Sequence, residues 1–109
     1  MRDAEYFYDV LWYTNDKVTV AFSTTFDEVI NNPGRWMTIT TIVINNKSTG
    51  EFITRTGLAI CSPKDKFDII KGRRLSTQRA INTYPERAIR THLWSWYWTA
   101  VKNANKGED

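Results

Sequence analysis

The residues of this chain best suited to chemistry are cations. Lys64, Lys66, Lys71, Arg73, Arg74, Arg79, Arg87 and Arg90 crowd one stretch, opposed there only by Asp65, Asp68 and Glu86. Such a run suits an anionic partner. Lys71, Arg73 and Arg74 surround Gly72 near an expected helix start. Side-chain charge and free backbone N–H groups would converge there on one anion. Arg79 follows one or two turns later. Arginine can grip a phosphate with two parallel hydrogen bonds, which lysine cannot. Trp36, Phe67 and Tyr84 are aromatics that could stack on a base, at ~1–3 kcal/mol each. The competing reading is plain: Gly72 breaks the helix, Phe67 is core, and the arginines form a solvated surface.

Catalytic chemistry finds less support. His92 is the single histidine and falls mid-helix, three residues after Ile89, where a packing role is expected. Cys61 is the single cysteine and ends a strand before a turn. A small strand-end cysteine is usually buried and inert. One Cys and one His do not make a structural zinc site, so no metal is expected. Asp65 and Asp68 sit among lysines and read as capping residues. No phosphate-loop or dinucleotide glycine pattern occurs. The expectation is a binding protein without a cofactor, not an enzyme.

Positioning these groups requires a scaffold, and the apolar spacing describes one. Tyr6 to Tyr13 reads as a strand with Tyr6, Tyr8, Val10 and Trp12 on one face, and Lys17 to Ser23 alternates with Val18, Val20 and Phe22 on one face. Asn15-Asp16 joins the two as a hairpin turn. Thr24 to Arg35 reads as a loop, with a helical turn over Phe26 to Ile30 and a turn at Asn31-Asn32-Pro33-Gly34. Trp36 to Asn45 is apolar on both faces, as a central strand would be. Asn46 to Gly50 then connects to a returning strand over Glu51 to Cys61. Gly57 within it marks a bulge or a close approach to the backbone.

The period changes from 2 to 3.6 near Ser62. Phe67, Ile70, Leu75, Ala80 and Ile81 belong to one amphipathic helix interrupted near Gly72. Thr83 and Glu86 fit a capping box with Pro85 at the first position of a second helix. In that helix Ile89, Leu93, Trp96 and Ala100 form one stripe, and Trp94, Trp98 and Val101 a second beside it. The expected fold class is α+β, an antiparallel sheet of about four strands followed by two C-terminal helices packed on one face. A single domain is expected over residues 1–109, with strands over about 5–61, helices over about 66–105 and a frayed tail from 103. Two apolar stripes on one helix exceed what one sheet face covers. A homo-oligomer, most simply a dimer, is therefore expected through Trp94 and Trp98.

The segment Ala59-Ile60-Cys61-Ser62-Pro63-Lys64-Asp65-Lys66-Phe67, with Gly72-Arg73-Arg74 and Arg79-Ala80 beyond it, resembles small bacteriophage-encoded proteins. Among these it is similar to Thoeris anti-defence proteins of the nucleotide-sponge type. The resemblance spans about residues 52–81. It implies an antiparallel sheet with C-terminal helices, and sequestration of a signalling nucleotide in oligomer pockets. A viral protein acting on a host factor in the host cytoplasm is the corresponding expectation.

Composition bounds the alternatives. The 109 residues are 41% hydrophobic and 14% aromatic, too rich in aromatics for disorder. The apolar stretches are far shorter than the ~20 residues of a membrane span, so no membrane partner is expected. The first residues lack a basic n-region and an apolar core, and a lone cysteine fits a reducing, cytoplasmic setting. Residues 1–54 carry a net charge of −3 and residues 55–109 one of +6. A nucleic-acid-binding protein using the Lys64–Arg90 segment is the alternative to a small anionic ligand or a host protein, with pI 9.1 in its favour.

Overall fold

The computed structural model describes residues 10–30, 32–61 and 68–106. The strands β1 (Val10–Thr14), β2 (Val18–Val29), β3 (Asn32–Asn46) and β4 (Phe52–Ile60) form one antiparallel sheet in the order β1-β2-β3-β4. Two helices follow, α1 (Ile69–Asn82) and α2 (Arg87–Lys106). The expected α+β order, sheet first and helices after, is what the chain adopts. The readings placed on Tyr6 to Asp9, on Asn31 and on the turn Ser62 to Phe67 lie outside the described residues.

Turn chemistry fixes the registers. Asn15 Oδ1 accepts from the N–H groups of Lys17 (2.7 Å) and Val18 (2.9 Å), closing the β1–β2 hairpin. Asn46 Oδ1 does the same for Ser48 and Thr49, and Gly50 takes φ +77°, a conformation other residues rarely adopt. In the resulting ladder Leu11 lies opposite Phe22, Phe22 opposite Ile42, and Thr40 opposite Gly57. Because side chains alternate, these residues share one face, and it is the covered one. Val20, Phe22 and Ile42 are at most 1% exposed.

One segment departs from expectation. Thr24 to Arg35 is not a loop. β2 continues to Val29, pairing Thr25 with Ile39, Phe26 with Thr38 and Glu28 with Trp36 before a bulge between Glu28 and Val29. The apolar spacing Phe26–Val29–Ile30 imitates a helical turn, but pairing along the whole edge of β3 satisfies more backbone groups.

The helices divide the covered face. α1 lies over β3 and β4, and α2 packs against β1. α1 is continuous through Gly72, so the expected interruption is absent. Gly72 instead admits the Thr38 side chain of β3 against the helix. Gly57 works the same way from the other side. A Cβ there would collide with the backbone of Ser76 and Ala80, and the register between β3 and β4 runs past it without a bulge. Two glycines thus let a helix sit unusually close to a sheet. Buried hydroxyls fill the seam: Thr40 meets Ser76 at 2.6 Å and both Thr77 and Thr24 at 3.3 Å.

α2 buries Leu93, Tyr97 and Ala100, at i, i+4 and i+7. A leucine buried this way contributes about 1.5–3 kcal/mol. Tyr97 meets Phe22 edge-on at 5.3 Å, and Trp96 stacks on Tyr13 at 5.4 Å. Thr83 does not cap α2. It closes α1, its hydroxyl donating to the Ala80 carbonyl at 2.6 Å. Glu86 takes the cap position of α2, its carbonyl accepting from Arg90, so Pro85 stands ahead of the helix and not inside it. Residues 103–106, expected to fray, are helical. Among the described residues no helix is long and apolar enough to cross a membrane.

Candidate functional site

The start of α1 is already occupied by a carboxylate of the chain itself. Asp68 Oδ1 accepts from the N–H groups of Ile70 (3.0 Å) and Lys71 (3.2 Å), and the Asp68 carbonyl accepts from Gly72. The expected meeting of an anion with free N–H groups beside Gly72 is therefore overturned. A side-chain cap of this kind stabilises a helix by about 1 kcal/mol and leaves its first donors satisfied.

The arginines gather elsewhere, on the flank of α1 that faces α2. A groove of about 150 Å³ opens there, lined by Ile70, Arg73 and Arg74 of α1 and by Tyr97, Trp98, Val101 and Asn105 of α2. The Arg74 guanidinium stands 5.8 Å from the Trp98 ring centroid. Trp98 is half exposed, stacks on Trp94 at 6.3 Å and meets Tyr97 edge-on at 5.1 Å. Two arginines and one indole therefore line the groove, together with aliphatic and aromatic carbon from Ile70, Val101 and Tyr97. Planar donors beside a ring face can hold a phosphate and a flat group together.

Its surroundings strengthen the field. α1 carries Lys71, Arg73, Arg74 and Arg79, and α2 carries Arg87, Arg90, Lys102 and Lys106; neither helix contains an acidic residue. Like-signed charges on one layer raise the local concentration of anions.

The remaining candidates separate into different places. Arg79 lies off the groove, its Nη1 donating to the Leu58 carbonyl at 2.8 Å. Arg90 Nη1 donates to the carbonyls of Tyr84 (2.7 Å) and Pro85 (2.9 Å), holding the connection between the helices. Lys71 is exposed on α1, outside the groove lining. Tyr84 is 3% exposed, so it packs in the core and offers no free face to a base. The Arg55 guanidinium covers its ring at 5.3 Å, and its buried hydroxyl has no hydrogen-bond partner among the described residues. Burial raises the pKa of that hydroxyl above the usual tyrosine value, partly offset by Arg55. Trp36 is half-buried on β3, 6.4 Å from Phe26 and not in the groove. Phe67 lies outside the described residues.

His92 stacks on Trp96 at 5.6 Å on the exposed side of α2. Cys61 is half-buried, its N–H donating to the Trp36 carbonyl and its own carbonyl accepting from Arg35. Among the described residues no three His, Cys, Asp or Glu side chains are grouped to hold a metal. Sequence reasoning missed Ile70, Tyr97, Val101 and Asn105 as groove residues. Tyr97 and Val101 do fall one turn apart on α2, beside Trp98. Comparison of the chain with protein-family models, with curated proteins and with solved structures gives no match.

Proposed function

We propose that the helical layer is a binding surface for a phosphate-bearing ligand, which the protein holds without transforming. The observation that carries this reading is Arg74 set against the half-exposed Trp98 ring, at the mouth of a groove in a layer without helical acids. Ligand pockets usually enclose about 300–1,000 Å³. At about 150 Å³ this groove takes one phosphate or one ring, so the rest of the ligand lies across the surface. The segment resembling phage anti-defence sponges contains Arg73 and Arg74, which makes a signalling nucleotide the first ligand to test. In that reading the protein is a phage inhibitor that sequesters the nucleotide.

A second reading has its own support. Cations on both helices, reaching from Lys71 to Lys102, suit a run of phosphates better than a single one. A short nucleic acid would track across the layer with one base on Trp98.

The ligand released on heating purified protein, identified by mass spectrometry and ultraviolet absorbance, separates the two. A mononucleotide or dinucleotide supports sequestration, and an oligonucleotide supports the second reading. Release of neither, together with an Arg74→Ala variant that binds nucleotides and oligonucleotides as wild type does, defeats both. Arg73→Lys should weaken binding although it keeps the charge, because the bidentate grip is lost.

A further inference from the structure

Among the described residues, neither helix packs on the other face of the sheet. Trp12 stands beside Ala21, Ala21 beside Val43, Ile39 beside Leu58, and Met37 beside Ile60, all on the side away from the helices. Trp12 is 61% exposed and Phe52 66%; Leu58 and Ile60 are also exposed. The strand residues between them are mainly Thr, Ser and Asn, and the charged residues that alternation puts on this face among the described strands, Asp27 and Arg35, lie at one corner and are of opposite sign.

We infer that a second copy of this chain packs on this face, sheet against sheet, about a two-fold axis. Three observations choose that occupant. The first is size. Strands of 5, 12, 15 and 9 residues, about 4.8 Å apart and rising ~3.3 Å per residue, span on the order of 600 Å². Two such faces together bury about 1,200 Å², within the range of specific interfaces.

The second is charge. The face is almost neutral, so it offers nothing to a charged partner, whereas two copies meeting through their helices would set cation against cation. The expected interface at Trp94 and Trp98 lies in that cationic layer, which favours the sheet instead. The third is the edge. Arg79 donates to a carbonyl of β4, so a charged side chain already sits where an added strand would pair. Packing face to face avoids that blocked edge, and faces of Thr, Val and Ile interdigitate in this way in β-sandwiches. The contact is the same on both copies, which closes the assembly at two.

The test is the mass of the full chain by light scattering at low micromolar concentration, for wild type, Trp12→Lys and Leu58→Lys. Both substituted side chains are exposed, so each variant should fold, which circular dichroism checks. A dimeric wild type and a dissociation constant raised at least ~tenfold in each variant are expected. Tryptophan emission should shift to the red on dilution of the wild type, and Trp12→Lys should remove that shift. A monomeric wild type, whether the face is covered by residues 1–9 or left bare, overturns the inference. So does a dimer that survives both lysines and is broken by Trp98→Lys.

Discussion

One sheet carries two faces of similar apolar content, and among the described residues both helices lie on the same one. The inner face has Leu11, Val20, Phe22 and Ile42; the outer has Trp12, Ile39, Val43 and Leu58. Hydropathy alone would not say which is covered. The difference lies in the small residues. The inner face has Gly57 opposite Thr40, and α1 answers with Gly72, Ser76, Thr77 and Ala80. The helix can settle onto the strands there, and hydroxyls pair across the seam. The outer face has large side chains standing from it and is better matched to another sheet. Close approach of backbone decides which face receives α1.

The inner face should therefore respond to mutation through folding, and the largest effect is expected at its centre. Phe22→Ala removes the ring that meets Tyr97 and should cost about 3–5 kcal/mol in urea unfolding. A loss under ~1 kcal/mol would mean that the covered face is not the core.

Gly57→Ala comes next, at about 3 kcal/mol, because the new methyl meets helix backbone, which cannot step aside. Ala at Gly57 tolerated without loss would place α1 farther from β4 than described. Thr40→Val should cost about 1–3 kcal/mol by taking a hydrogen-bond partner from the buried Thr77 and Ser76 hydroxyls, of which Ser76 keeps its bond to the Arg73 carbonyl. The same unfolding experiment reads all three.

The smallest effect belongs to Tyr84. Its folded-state pKa is raised, so the neutral phenol is the form the fold prefers. Stability from this group is complete below the ordinary tyrosine pKa of about 10 and is lost as pH rises through the folded value. Tyr84→Phe should flatten that alkaline decline and leave neutral-pH stability unchanged or slightly higher, since the hydroxyl has no partner to lose among the described residues. Unfolding midpoints measured on either side of pH 10 check it; an unchanged alkaline decline would assign the loss to another group.

The legible parts of the fold were those written in local chemistry. Asn15 and the Asn46–Gly50 stretch are turn residues in sequence and in space, and the switch of period near Ser62 marks where strands give way to helices. Gly57 announced a close approach, although the partner, α1, could not be read from its own segment. The extension of β2 was hidden because Phe26, Val29 and Ile30 carry helical spacing, and only pairing with β3 overrides it. Thr83 and Glu86 match a capping box by spacing, yet the Thr83 hydroxyl finds the Ala80 carbonyl first.

The candidate site was half legible. Arg73 and Arg74 were named from composition, but the groove depends on which flank of α1 faces α2, and that angle is set by the sheet beneath both. From its stripe alone Trp98 reads as an interface residue, and its place beside Arg74 depends on the same angle. Tyr84 was read as a stacking residue because nothing near it in sequence reveals that the core closes over it.

The central claim is that Arg74 and Trp98 together form an anion site. Its most direct test is a fluorescence titration of wild type, Arg74→Ala and Trp98→Phe with a nucleoside monophosphate and with a short single-stranded oligonucleotide. Wild type should show saturable quenching with at least one of them. Arg74→Ala should weaken that binding at least ~tenfold while unfolding at the same urea concentration, and Trp98→Phe should lose most of the signal. Equal binding in all three proteins, or no saturable quenching in wild type, would contradict the site.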